Sequence, residues 1–268
     1  MNDRPGDAGL AQADAVLRRE DRDAVALLTL NRPRQYNALS AALLGELHTA
    51  LDDIARDEAI RVVMITGAGS AFCAGHDLKE MRAQEPARVE ELFTSCSAMM
   101  QKLTALPVPV IAVVNGLATA AGCQLAAQCD LAVASSAAKF AVSGVNLGLF
   151  CSTPAVALSR NLGRKRAAEM LFTGEFVTAE QALEWGLVNR VTPPEGVMDA
   201  ALELAASLKA KPRAALALGK SLFYRQLEEG LARAYADASR TISCNMDTDF
   251  AREGVDAFLQ KRPPSWKS

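Results

Sequence analysis

Aromatic side chains make up only 5% of the 268 residues, which excludes an interior built on packed rings. The core has to be filled mainly by Ala, Leu and Val, and small side chains allow one backbone to approach another. An excess of positive charge is also missing. Lys plus Arg is 29 against 31 for Asp plus Glu, a net charge of −2. That balance argues against a general nucleic-acid binder and against a membrane-surface protein, since both need a broad basic excess. Cys73, Cys96, Cys123, Cys129, Cys151 and Cys244 include no C-x-x-C pair and no cysteine–histidine cluster at zinc spacing. No metal is expected, and the thiols read as reduced, as in a cytoplasmic compartment. The apolar runs break well before they could span a bilayer. Residues 1–20 carry Asp3, Asp7, Asp14 and Glu20 and no long apolar stretch, which speaks against a secretory or mitochondrial leader. Residues 1–21 are expected to be a flexible N-terminus.

What is present suggests one large α/β domain. Short apolar runs at 25–30, 62–66, 110–114 and 131–134 read as buried strands. Helical spacing lies between them. Ser40 can cap a helix with Leu43, Leu44, Leu47, Leu51 and Ile54 on one face and His48 partly exposed among them. Further helices are predicted over 87–106, around 119–129, from Ser152 or Thr153 to Gly163, and after a Thr178/Gln181 capping box. Strands separated by helical stretches favour an α/β fold with a covered sheet. The pattern turns almost wholly helical past Pro193 and Pro194. The chain therefore divides into a flexible 1–21, an α/β core over 22–195 and a helical region over 196–268 that could pack on a neighbouring subunit.

Gly67-Ala68-Gly69 follows a strand as a dinucleotide fingerprint would, but Phe72 occupies the third glycine position, where close helix packing requires a small residue. Two other segments carry more chemistry. AFCAGHDLKE (71–80) is a glycine loop leading into a short charged helix, and NGLATAAGCQLAAQCD (115–130) follows a buried strand and crowds Ala118, Ala120, Ala121 and Gly122 at a helix start. A helix start offers unpaired N–H groups, and small residues let a ligand oxygen reach them. Donors from two such loops, if they converge, form an oxyanion hole.

These two segments, with FTGEFVTAEQALEWGLVNRV (172–191) and AFLQKRPPSW (257–266), resemble the enoyl-CoA hydratase/isomerase (crotonase) superfamily over roughly residues 22–266. The resemblance implies a spiral of ββα units with C-terminal helices that mediate trimerisation, as a homotrimer or a dimer of trimers. It implies an acyl-CoA thioester as substrate, with coenzyme A entering as part of that substrate and no prosthetic group. The backbone N–H groups of His76 and Ala121 would form the oxyanion hole, and His76, Asp77, Leu78 and Lys79 would line the thioester. Phe258 and Lys261 match positions that reach the CoA of a neighbouring subunit, while an ordinary amphipathic helix end is the competing reading.

The catalytic carboxylates of the hydratases are missing. Where they carry a G-C-E glutamate this chain has Gln124, and where they carry a second glutamate it has Gly144. An amide neither takes up nor releases a proton near neutral pH, and glycine has no side chain. Standard hydration is therefore expected to be weak. The relatives that lack these glutamates and decarboxylate malonyl-type thioesters carry a tyrosine where this chain aligns Cys151. Ser143, Asn146, Ser152 and Thr153 are nearby polar residues that read first as turn or cap residues. Three readings stay open: an enolate-stabilising lyase of acyl-CoA metabolism, a malonyl-type decarboxylase, and an acyl-CoA binding protein without turnover.

Overall fold

The computed structural model describes residues 15–266. Ten strands form two sheets. Strands β1 (Leu17–Arg22), β2 (Val25–Leu30), β3 (Val62–Gly67), β5 (Val110–Val114), β7 (Leu131–Ser135) and β10 (Arg190–Thr192) make the larger, in the order β1-β2-β3-β5-β7-β10. Only the β1–β2 pair in it is antiparallel. Strands β4 (Ala71–Cys73), β6 (Leu117–Thr119), β8 (Lys139–Ala141) and β9 (Val177–Thr178) make the smaller sheet in that order.

The chain alternates between the sheets. Each of β3, β5 and β7 in the large sheet is followed by β4, β6 or β8 in the small one, and then by a helical segment, so that ββα units wind as a spiral. Short connections and parallel pairing within each sheet leave little other route back. The helices are α1 (Ala41–Arg56), α2 (Leu78–Arg82), α3 (Pro86–Ala105), α4 (Ala121–Gln128), α5 (Ser152–Asn161), α6 (Arg164–Thr173), α7 (Ala179–Trp185), α8 (Val197–Lys209), α9 (Arg213–Gln226), α10 (Leu231–Met246) and α11 (Asp249–Leu259).

Both faces of the large sheet are covered, which explains its unbroken apolar runs. Ala26, Leu28, Val63, Ile65, Ala112 and Val114 face the main core with α1 and α3. Val25, Val62, Met64, Ile111, Val113 and Val133 face Val197, Ala201 and Ala205 of α8 on the other side. Phe72 and Phe140 are the only aromatic members of the largest fully buried side chains; the rest of that group is Leu, Ile and Met. Ser40 and the Thr178/Gln181 box cap α1 and α7 as the sequence indicates.

Three expectations need correction. Order begins before residue 22, because 17–22 form edge strand β1, while residues 1–14 lie outside the described residues. Its LRREDR sequence buries only Leu17, so charge suited to an exposed edge hides the strand signal. The helix expected from Thr119 starts at Ala121, since Leu117–Thr119 pair with β4 and β8. The boundary at 195/196 does not separate core from appendage: α8 closes the back of the large sheet.

A buried ionic knot ties α9 to this core. Lys220 Nζ donates to Asp130 Oδ2 (2.6 Å) and to the carbonyls of Leu103 (2.7 Å) and Val108 (2.9 Å). Tyr224 O–H donates to Asp130 Oδ1 (2.7 Å), and the Val110 N–H donates to Oδ2 (2.6 Å). Burial pulls the Lys220 ammonium below its ordinary value against the opposing pull of Asp130. Removing one partner leaves the other charge buried, so Asp130→Ala is expected to cost about 3–5 kcal/mol. Equilibrium unfolding in urea measures that loss, and an unchanged midpoint would show that the knot carries no stability.

Candidate active site

Two loops meet at the start of α4. Gly75 has φ +93°, and a Cβ placed on it would lie 2.9 Å from Ala120 Cβ and 3.2 Å from Ala121 N. Gly122 is tighter still: a Cβ there would stand 1.9 Å from the Cys73 carbonyl oxygen. Any side chain at either position would separate the loops. The Thr119 hydroxyl fastens them by donating to Ala74 O (3.0 Å). At the apex Ala120 adopts φ 49°, ψ −120°, an uncommon conformation for a residue with a Cβ, which costs on the order of 1–3 kcal/mol.

The candidate donors lie on either side of this contact. Ala121 is the first residue of α4, so its N–H is one of the helix's unpaired groups. Leu39 donates to Gly75 O (2.7 Å) and accepts from Asp77 N (3.2 Å), in a parallel bridge opposite His76. Gly75 and Asp77 thus turn their groups toward Leu39, and the N–H of His76 between them turns away from it. Among the described residues neither His76 N–H nor Ala121 N–H has a hydrogen-bond partner.

The side chains around these donors divide into fasteners and orphans. Asp77 caps α2 by accepting from the N–H groups of Lys79 (3.2 Å) and Glu80 (3.3 Å). It also pairs with Arg32 at 2.8 Å, and that guanidinium holds its carboxyl below the usual range. Its carboxylate is therefore engaged within the chain, while Leu78 and Lys79 are exposed on α2. The imidazole of His76 packs edge-on against Phe93 (ring centroids 4.8 Å apart), with both nitrogens buried and the Leu39 backbone near enough to oppose, more weakly, the effect of burial on its pKa. Burial lowers its pKa, so the ring is neutral.

Gln124, one turn along α4 from Ala121, is buried with Oε1 unpartnered. A Cβ on Gly144 would meet Cys151 Sγ and Leu149 O, each at 2.8 Å, so the space a side chain would need is already filled. Burial pushes the Cys151 thiol up and the adjoining Cys123 up to about 12, which leaves neither as a ready thiolate. Asn146 donates to Gly174 O (3.3 Å) and Ser152 Oγ to Phe150 O (3.3 Å), while Ser152 and Thr153 open α5. Ser143 begins a 3-10 turn. Phe258 and Lys261 stand elsewhere, at the exposed end of α11. The groove there, about 430 Å³, is walled by Phe258 with Pro212, Met246 and Trp266 and by none of the loop residues above.

Sequence reasoning missed Arg32, Asn37 and Leu39. The segment after β2 buries Asn37 at φ 56° and places Leu39 against the Gly75–Asp77 backbone.

The double sheet spiral defines a crotonase-fold protein, and the two backbone N–H groups on apposed loops, without partners among the described residues, make a candidate site built from main chain. The chain belongs to the enoyl-CoA hydratase/isomerase family, which it matches over residues 20–268. It is 45% identical to mouse mitochondrial enoyl-CoA hydratase domain-containing protein 3, over 98% of this chain and 89% of that protein. The crystal structure of the human protein of that name superposes with a TM-score of 0.90 at 42% identity, covering 94% of this chain and 100% of the other. A Mycobacterium smegmatis enoyl-CoA hydratase structure gives 0.92 at 55% identity, covering 94% and 99%.

The buried, neutral His76 ring has a pH consequence. Below the ordinary imidazole pKa of about 6.5 the unfolded chain binds a proton that the native ring resists. Stability contributed by this residue is complete above that pH and is lost as pH falls below it. His76→Leu, which keeps the backbone N–H, is expected to flatten the slope of Tm between about pH 6.5 and 5. An identical slope in the two proteins would assign the effect to other groups.

Proposed function

We propose that the protein binds an acyl-CoA thioester and stabilises the enolate formed from it, the thioester oxygen accepting the N–H groups of His76 and Ala121. One observation carries this reading: two unpartnered backbone donors on loops held in van der Waals contact. An enolate oxygen more charged than the parent carbonyl gains more from fixed donors, and one such donor is worth about 2.7–4 kcal/mol of transition-state stabilisation. His76 contributes through its main chain, with its ring turned onto Phe93. Gln124 Oε1 can accept from a water or a substrate hydroxyl, but the amide moves no proton. With Gly144 offering no side chain, ordinary hydratase turnover is weak. A positioned acid or base contributes about 10²- to 10⁴-fold, so the loss is measurable. Cys151 serves as packing beside Gly144. The neutral floor favours lyase-type steps that need enolate stabilisation alone, or binding without turnover.

The oligomer is part of the same proposal. Leu231, Tyr235 and Ile242 on α10 and Phe258 and Leu259 on α11 are exposed in the single chain. Apolar surface of that extent calls for a partner. A homotrimer, or a dimer of trimers, would cover it and bring Phe258 and Lys261 to the CoA held by a neighbouring subunit. The free cysteines fit a reducing, cytoplasmic setting. Among the described residues no helix is long and apolar enough to cross a membrane. Sedimentation is expected to give a multiple of three chains, and a single-chain mass would remove this part of the reading.

Turnover separates the catalytic alternatives. Loss of enone absorbance with crotonyl-CoA is expected to be slow, and Gln124→Glu to raise it by restoring a proton donor next to Ala121. Gly144→Glu alone is expected to fail, because its Cβ first has to displace Leu149 O. Mass spectrometry of malonyl-type, enoyl and saturated acyl-CoAs incubated with the protein identifies the step or shows binding alone. Rapid hydration by the unaltered protein contradicts the weak-hydratase reading, and failure to bind any CoA thioester contradicts the whole.

A further inference from the structure

The segment running from Arg32 to Ala41 lies along the loop that carries His76 and pairs with it through three backbone groups on either side of the candidate donor. Tyr36 O accepts from Ala74 N (3.0 Å), Leu39 N donates to Gly75 O (2.7 Å), and Leu39 O accepts from Asp77 N (3.2 Å). Past the loop, Glu80 Oε1 accepts from Ala41 N (3.2 Å). The segment is itself rigid. Tyr36 and Asn37 take φ 50° and 56°, and fully buried Asn37 donates to Ala68 O (2.9 Å) and Ala71 O (2.7 Å) while accepting from Arg32 N (2.9 Å).

Arg32 joins the two strips. Its Nη1 donates to Ala38 O (2.5 Å) and its Nη2 to Asp77 Oδ2 (2.8 Å), with both charged side chains more than four-fifths buried. Asp77 follows His76 directly and caps α2 with its other oxygen. The His76 N–H lies on the Gly75–His76 peptide, whose carbonyl is held by Leu39 N–H; on its far side the Asp77 N–H is held by Leu39 O and the Asp77 side chain by the α2 cap and Arg32, so the donor peptide is pinned at both ends.

We infer that Arg32, acting through Asp77, is a positioning residue that fixes the direction of the His76 N–H. This rests on the oxyanion reading above. The guanidinium suits the task because its planar fork spans two acceptors on different strips, which a lysine ammonium on a flexible stem does not reproduce.

A dienoyl thioester of coenzyme A tests this without turnover, since its absorption moves to longer wavelength when its carbonyl oxygen accepts strong hydrogen bonds. The whole protein is expected to red-shift 2,4-hexadienoyl-CoA on binding, and Ala121→Pro, which deletes a proposed donor, sets the scale of loss. Arg32→Met is expected to lose most of the shift while still binding butyryl-CoA. Arg32→Lys should recover only part of it. Asp77→Asn, which keeps a capping oxygen but breaks the ion pair, should lose the shift similarly, and it decides the matter if Arg32→Met does not fold. The Arg32→Met/Asp77→Asn double variant should lose no more than either single one, as for two residues acting as a unit. Thr178→Ala, which weakens a distant helix cap, controls for lost stability and should keep the full shift. A folded Arg32→Met or Asp77→Asn protein with the full shift overturns the positioning role and leaves the oxyanion reading intact. No shift in the unaltered protein, despite binding, overturns both.

Discussion

The contact between the Cys73–His76 strip and the first turn of α4 is the constraint on which the rest of this molecule depends. A Cβ on residue 122 would stand 1.9 Å from Cys73 O, and one on residue 75 would stand 2.9 Å from Ala120 Cβ. Backbones this close leave no room for side chains between them, so the surface formed there consists of main-chain groups. The spiral serves this contact by ending β4 and β6 side by side in the small sheet, each feeding one of the two loops. The strained Ala120 turn is held by the Ala120 N–H to Ala141 O bond (2.9 Å) on one side and by the helix it starts on the other. Such strain persists only where neighbouring structure over-determines it.

That arrangement was partly legible in the sequence. Strands β2, β3, β5 and β7 of the large sheet were visible because burial on both faces gives continuous apolar runs, and α1 and α7 because Ser40 and Thr178 carry cap chemistry; β10, three residues long, was not. The small sheet was not. Its strands are two or three residues long, too short for any period to register, and β6 shares its Ala-rich composition with the helix that follows. Edge strand β1 escaped because five of its six residues are charged. His76 and Ala121 could be singled out from their motifs, whereas Arg32 and Asn37 could not. Their partners, Asp77 and the Ala68 and Ala71 carbonyls, are more than thirty residues away along the chain, and no local pattern announces such a pairing.

The departures from the hydratase pattern have different physical characters. Gln124 retains the shape and position of a side chain directed from α4, and its unpartnered oxygen is a vacancy in hydrogen bonding rather than in space. Gly144 is a change in packing. Cys151 Sγ and Leu149 O have closed over the position, and the chain from 143 to 151 is folded in a way that a longer residue could not share. The first departure is chemically reversible by one atom; the second is built into the backbone.

Electrostatics then decides what the remaining site can favour. Several of the candidate residues are neutral: burial lowers the pKa of the His76 imidazole and raises those of the Cys123 and Cys151 thiols, and Gln124 carries no charge. Asp77, the carboxylate nearest in sequence to a donor, is neutralised by Arg32 and by two N–H groups of α2. In the proposed complex a negative charge developing on a thioester oxygen would meet two fixed N–H dipoles and the start of α4, with no carboxylate at positions 124 or 144. In an ordinary acid–base pair of glutamates, part of that stabilisation is offset by repulsion from an ionised partner. On the proposed reading, the absence of both glutamates removes proton transfer and that repulsion together, and the site is proposed to hold an anion better than it moves a proton.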